Sequence, residues 1–93
     1  MNETDHQDIA QRRRELIEAI ANNELTLGQT VRRMRKISGM NQSAYAERIV
    51  GISTRILAEI ERDEGNPTVE TLNKIGRPFG YTVGFVQSVR RPS

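Results

Sequence analysis

An all-α fold, with five short helices sharing one aliphatic core, is what this chain predicts, and three observations carry the prediction. Apolar residues recur three and four apart from Ile9 to Ile75. Four of these runs are preceded by Thr26, Asn41, Ser53 or Thr68, residue types whose side-chain oxygen can accept from the free N–H groups of a helix start. Strand-like alternation of β-branched and aromatic residues is confined to one stretch, Tyr81 to Val86.

The 93 residues fit one small domain. With 35% hydrophobic and 28% charged residues the chain is of ordinary globular type, and 4% aromatic residues require a mostly aliphatic core. There is no cysteine, so disulfide staples and thiolate metal sites are excluded. No apolar run approaches the roughly 18 residues of a membrane span. The N-terminus is polar and acidic where a leader would be basic and then apolar. The expected setting is cytoplasmic and nucleoid-associated, with no membrane partner. Residues 1–24 hold six acids and three bases, whereas residues 25–93 hold six acids and eleven bases. A basic body behind an acidic segment points to a polyanionic partner.

From His6 to Asn23, Ile9, Leu16, Ile17 and Ile20 form the apolar face of an amphipathic helix ending near Asn22-Asn23. Its Arg12-Arg13-Arg14 run reads as a solvated face. Thr26 caps a second helix from Leu27, with Leu27, Val31 and Met34 inward, Arg32, Arg33 and Lys36 outward, and Gly39 at its end. Asn41 caps a third, "QSAYAERIV", with Tyr45 and Ile49 on one face. Gly51 suits a left-handed turn, and Ser53 caps a short fourth helix. There Leu57 and Ile60 point inward while Thr54, Arg55 and Glu59 face out. Gly65, Asn66 and Pro67 break it, and Thr68 opens a fifth helix with Val69, Leu72 and Ile75, closed by Gly76 and Pro78. Tyr81, Val83 and Phe85 then alternate as a short strand, which needs a partner that the chain itself does not supply; a second copy is the expected one. The expected organisation is an amphipathic helical arm over 1–24, a helical domain over 25–80, and a strand with a tail over 81–93.

Two helices joined by a tight turn, the second with polar residues at its head, have the geometry that enters a major groove. Over residues 27 to 80 the chain resembles the Cro/C1-type (Xre-like) helix-turn-helix family. "LGQTVRRMRKISGMNQSAYAERI" resembles its first two helices and "GISTRILAEIERDEGNP" its recognition helix and following loop. Arg35, Asn41-Gln42, Ala46, Gly51, Ile60-Glu61 and Asn66-Pro67 agree in order. The resemblance implies a lambda-repressor-like bundle and a regulator of transcription, a repressor bound to a near-palindromic double-stranded DNA operator as a homodimer. It implies base reading by Thr54, Arg55 and Glu59, types suited to a thymine methyl, guanine and cytosine. It further implies backbone contacts from Asn41, Gln42, Ser53 and Arg62, and an internal ion pair between Arg35 and Glu61. Two features depart from the pattern. One residue too many lies between Gln42 and Gly51, which would shift groove insertion. Ile56 stands where a small polar residue is usual, and either packs, the preferred reading, or meets a thymine methyl.

"FGYTVGFV" resembles the strand of HipB-like antitoxins that pairs across a dimer, with Tyr81, Val83 and Phe85 as the pairing residues. That resemblance implies an autoregulatory antitoxin holding a cognate toxin; a repressor without a toxin, or a protein-interaction module, are the alternatives. No cofactor, metal or catalytic residue is expected, since His6 is the sole histidine and the acids Glu59, Glu61, Asp63 and Glu64 lack calcium-loop spacing.

Overall fold

A computed structural model describes residues 3–86, with side chains from Asp8 onward. The tail expected over residues 87–93 lies outside the described residues. The elements in order are α1 (Glu3–Ala21), α2 (Leu27–Ile37), α3 (Gln42–Ala44) continued by a π-helical turn (Tyr45–Val50), α4 (Thr54–Glu61), α5 (Val69–Gly76) and a 3₁₀ turn (Arg77–Phe79). None of these helices is long and apolar enough to cross a membrane.

Helix boundaries follow local capping chemistry. Thr26 accepts from the Gln29 N–H while the Gln29 side chain accepts from the Thr26 N–H, a reciprocal box that satisfies two otherwise free donors. Asn41, Ser53 and Thr68 accept from the N–H groups of Ala44, Ile56 and Thr71 in the same way. α1 stops at Ala21, and Asn23 takes the left-handed conformation that closes it.

The core joins Leu16 of α1, Val31, Met34 and Ile37 of α2, Tyr45, Ala46 and Val50, Leu57 and Ile60 of α4, and Ile75 of α5. α1 thus packs on the same core as the helices that follow, and Arg13 of the expected solvated run lies over the Phe79 ring at 4.6 Å, a cation–π contact that ties α1 to the end of α5. Two expected core residues are outside. Ile17 is 55% exposed because Leu16, Ala19 and Ile20 already fill the stripe that faces α2, and Leu27, in the first turn of α2, is also exposed.

The third helix is not uniformly α. A π turn closes its hydrogen bonds one residue later than an α turn, and here the Gly51 N–H donates to the Ala46 carbonyl at 2.7 Å. The supernumerary residue is absorbed in that turn, between a start fixed by the Asn41 cap and an end fixed by Gly51 at φ 80°. The inward pair is therefore Tyr45 and Val50, five apart, and Ile49 is turned to solvent, which corrects the expected pairing of Tyr45 with Ile49. Tyr45 is fully buried, and its hydroxyl donates to the Ile75 carbonyl at 3.0 Å, linking this helix to α5.

Residues 81–86 take no regular secondary structure in the single chain. The expected strand has no ladder here because a ladder needs a second strand, and none exists among the described residues.

Candidate nucleic-acid interface

α4 is a short helix held from behind at three depths. Leu57 and Ile60 sit in the core. At its C-terminal end the Glu61 carboxylate takes two parallel bonds from Arg35 of α2, Nε to Oε2 at 2.7 Å and Nη2 to Oε1 at 3.0 Å. Such a fork is the strong, orienting form of ion pair. Arg35 also donates to the Met40 carbonyl at 3.0 Å, so one guanidinium spans α2, the turn before α3, and α4.

The third anchor was not anticipated. Asp63, in the left-handed conformation at φ 57°, accepts from the Thr26 hydroxyl at 2.6 Å and from the Gly28 N–H at 2.7 Å. These bonds hold its carboxyl below the usual carboxylate range, the Thr26 bond contributing most. Gly28 is required there, because a Cβ would lie 2.5 Å from the Ile60 carbonyl oxygen and 2.8 Å from that of Glu61. The start of α2 and the end of α4 therefore touch backbone to backbone.

With that side fixed, Thr54, Arg55 and Glu59 lie on the side away from Leu57 and Ile60. Arg55 donates to Glu59 at 2.9 Å, one turn along. Thr54 shares a 3.1 Å hydroxyl contact with Ser43 of α3, which fixes the turn between the two helices and leaves the threonine methyl as its unbound part. Ile56 is 37% exposed and outside the core, so the preferred reading of it as a packing residue is corrected.

Asn41 and Ser53 spend an acceptor oxygen on capping, which leaves the Asn41 amide N–H donors and the Ser53 hydroxyl proton unused by the cap. Gln42 is placed differently from the others: its amide donates to Glu61 at 3.2 Å and so joins the Arg35 pair. Arg62, just past α4, is paired with Glu64 at 3.2 Å, both side chains exposed. Exposed Arg32, Arg33 and Lys36 lie across α2 from Val31 and Met34, on the side away from the core, and do not join the α4 face. Among the described residues no group of three or more His, Cys, Asp or Glu side chains could hold a metal ion; Glu61 and Asp63 each serve a different contact with α2.

A helix-turn-helix family matches residues 31–86, more than half of the chain and the whole of the α2–α5 core. The chain belongs to the Cro/C1-type (Xre-like) helix-turn-helix family. In the terms of this Xre-like family, α3 with its π turn is the first helix of the motif and α4 the second. The immunity repressor protein of Bacillus phage phi105 is 34% identical over 62 residues, covering 67% of this chain and 42% of the relative. The chain thus spans less than half the length of that Xre-like relative. No solved structure matches the chain.

Proposed function

We propose that the protein is a sequence-specific double-stranded DNA-binding transcriptional repressor that reads its operator with the exposed face of α4. The observation that carries this reading is the asymmetry of α4: one side is locked by Leu57, Ile60 and the Arg35–Glu61 pair, and the other presents Thr54, Arg55, Ile56 and Glu59. Membership of a helix-turn-helix family and similarity to a protein named as an immunity repressor support the same reading.

In this reading Arg55 grips a guanine edge, Glu59 accepts from cytosine, and the Thr54 methyl and Ile56 meet thymine methyls. The Arg55–Glu59 pair does not prevent this. Arg55 is 77% exposed, and an exposed pair is worth about 0–1 kcal/mol against roughly 1–3 kcal/mol for a bidentate guanine contact. Asn41, Ser53 and Arg62 contact phosphates, with Arg62 leaving Glu64 on the same grounds. Gln42 acts by orienting Glu61, and its phosphate role is secondary. The reading domain is residues 25–80, with α1 buttressing it. The protein binds as a homodimer on a near-palindromic site through residues 81–86, so that two copies of α4 address two half-sites about one helical turn apart. An antitoxin role rests on the C-terminal resemblance alone, with no observation on the described residues to favour it, and the repressor is the function proposed.

Selection from a randomised operator library tests the proposal. Arg55→Ala should relax preference at one base position and lower specific affinity by about 1–3 kcal/mol, while Ser53→Gly should weaken all sequences alike. Binding that is insensitive to salt would point instead to a protein-interaction module, because phosphate contacts make affinity fall steeply with salt.

A further inference from the structure

The backbone hydrogen bonds of the C-terminal segment all fall on one side. The Tyr81 N–H donates to the Gly76 carbonyl at 3.0 Å and the Val83 N–H to Asn73 Oδ1 at 2.9 Å. In an extended chain the N–H and C=O groups of alternate residues share a side. The edge turned to the body therefore belongs to residues 81 and 83, and the opposite edge to Thr82 and Gly84. Among the described residues neither the Thr82 nor the Gly84 N–H has a hydrogen-bond partner. Burial alternates in step: Tyr81 and Val83 are half-buried, Thr82 and Gly84 exposed. Phe85 continues the inward set but has outrun the body, at 108% exposure. Tyr81 and Val83 also line an open cleft of about 250 Å³ whose other walls include Ile20, Leu25, Val31 and Leu72.

We propose that a second copy of the chain pairs antiparallel along the Thr82–Gly84 edge with its twofold axis at Val83, so that each Phe85 enters the partner copy's cleft beside Tyr81. This rests on the homodimer reading and specifies its interface. The occupied N–H groups of residues 81 and 83 require that the even-numbered residues make the bonds between strands, so residue 82 faces residue 84 as a hydrogen-bonded pair and residue 83 faces itself as a non-bonded pair. Residue 81 then faces residue 85, which makes two Tyr–Phe contacts on the cleft side. A twofold at Gly84 would spare the same N–H groups but would set glycine against glycine and separate the aromatics. The occupant is a second copy because the missing edge and the unfilled cleft are matched, in register and in chemistry, by the same five residues read in reverse. The symmetry makes the contact self-complementary and closed.

The chain has no cysteine, so single-cysteine variants of the full protein report the register directly. Gly84 tolerates a side chain, since nothing lies within 4 Å of an added Cβ. Under mild oxidation Val83→Cys should form a covalent dimer, its Cα atoms lying about 4.5 Å apart, within disulfide reach. Thr82→Cys and Gly84→Cys alone should not, being diagonal to their own counterparts at roughly 7–8 Å. The double variant Thr82→Cys/Gly84→Cys, with directly opposed positions, should cross-link even if Val83→Cys fails to fold. Phe85→Ala should raise the dimer Kd by about tenfold or more with helicity unchanged. A dimer in sedimentation that cross-links best at residue 84 alone, or at none of these positions, would overturn the register and leave the homodimer reading standing. A dimer unaffected by Phe85→Ala would overturn the filled cleft, and a monomer at all concentrations would overturn both readings.

Discussion

Glu61→Ala removes the carboxylate that receives three donors: two from Arg35 and one from Gln42. The Arg35 side chain is 13% exposed and that of Glu61 4%, so the guanidinium left behind cannot be rehydrated in place. It keeps one partner, the Met40 carbonyl. Breaking a buried pair by deleting one member costs about 3–5 kcal/mol, and the surviving bond and residual exposure put this case near the lower figure. A domain of this size has about 5–15 kcal/mol in total, and each kcal/mol moves Tm by roughly 4–8 °C. The expected fall is therefore about 12–24 °C, measured by thermal and urea denaturation followed by circular dichroism. Arg35→Met combined with Glu61→Leu should recover most of it, because the cost arises from the stranded charge more than from the lost attraction. Glu61→Ala melting within about 1 kcal/mol of the parent would refute the reasoning and class the pair with surface ion pairs.

Gly28→Ala forces apart two backbones that touch, and should destabilise by about 1–3 kcal/mol; an unchanged urea midpoint would show that α2 and α4 separate freely. Burial, helped by the Glu61 charge, pushes the Tyr45 hydroxyl up to about 12. Because the folded value lies above the unfolded one, the stability contributed by Tyr45 is complete below about pH 10 and is lost as pH rises toward 12. Phenolate absorbance should therefore report Tyr45 ionising only with unfolding, and Tyr45→Phe should flatten this alkaline loss. Asp63 has the opposite sign: its lowered value gives stability that is present above the ordinary carboxylate range and lost as pH falls through it. Asp63→Asn, which tolerates the same left-handed backbone, should flatten the acid limb of the stability profile.

Caps were legible in the sequence because a cap is local: Thr26, Asn41, Ser53 and Thr68 each act within three residues of themselves. The excess residue before Gly51 was visible too, but its fate was not. Whether it lengthens a turn or rotates a helix depends on both ends being pinned, and only the fold shows Asn41 and Gly51 pinning them. Ile17 was misplaced because periodicity defines a stripe without its width, and α2 covers only part of the apolar residues α1 offers. Asp63 escaped notice for a related reason. Its partners lie 35 and 37 residues away, so the only local signal was an acidic residue, tolerant of the left-handed region, at the end of a helix. The resemblance supplied Thr54, Arg55 and Glu59, which the structure sets on one face. It did not supply the turn of Gln42 toward Glu61, which depends on how deeply Glu61 is sunk between α2 and α4.

The shared cap at Asp63 bears on how the molecule opens. First turns of helices ordinarily fray at almost no free-energy cost, and their amides exchange with solvent first. Here the Gly28 amide is bound by a residue that belongs to the far end of α4, so the start of α2 cannot loosen by itself. Its hydrogen exchange should follow the slow amides of Leu57 and Ile60, the opposite of what its place in the chain suggests. The reading helix and its support would then open as one cooperative unit, and α4 would meet DNA with its tilt already set.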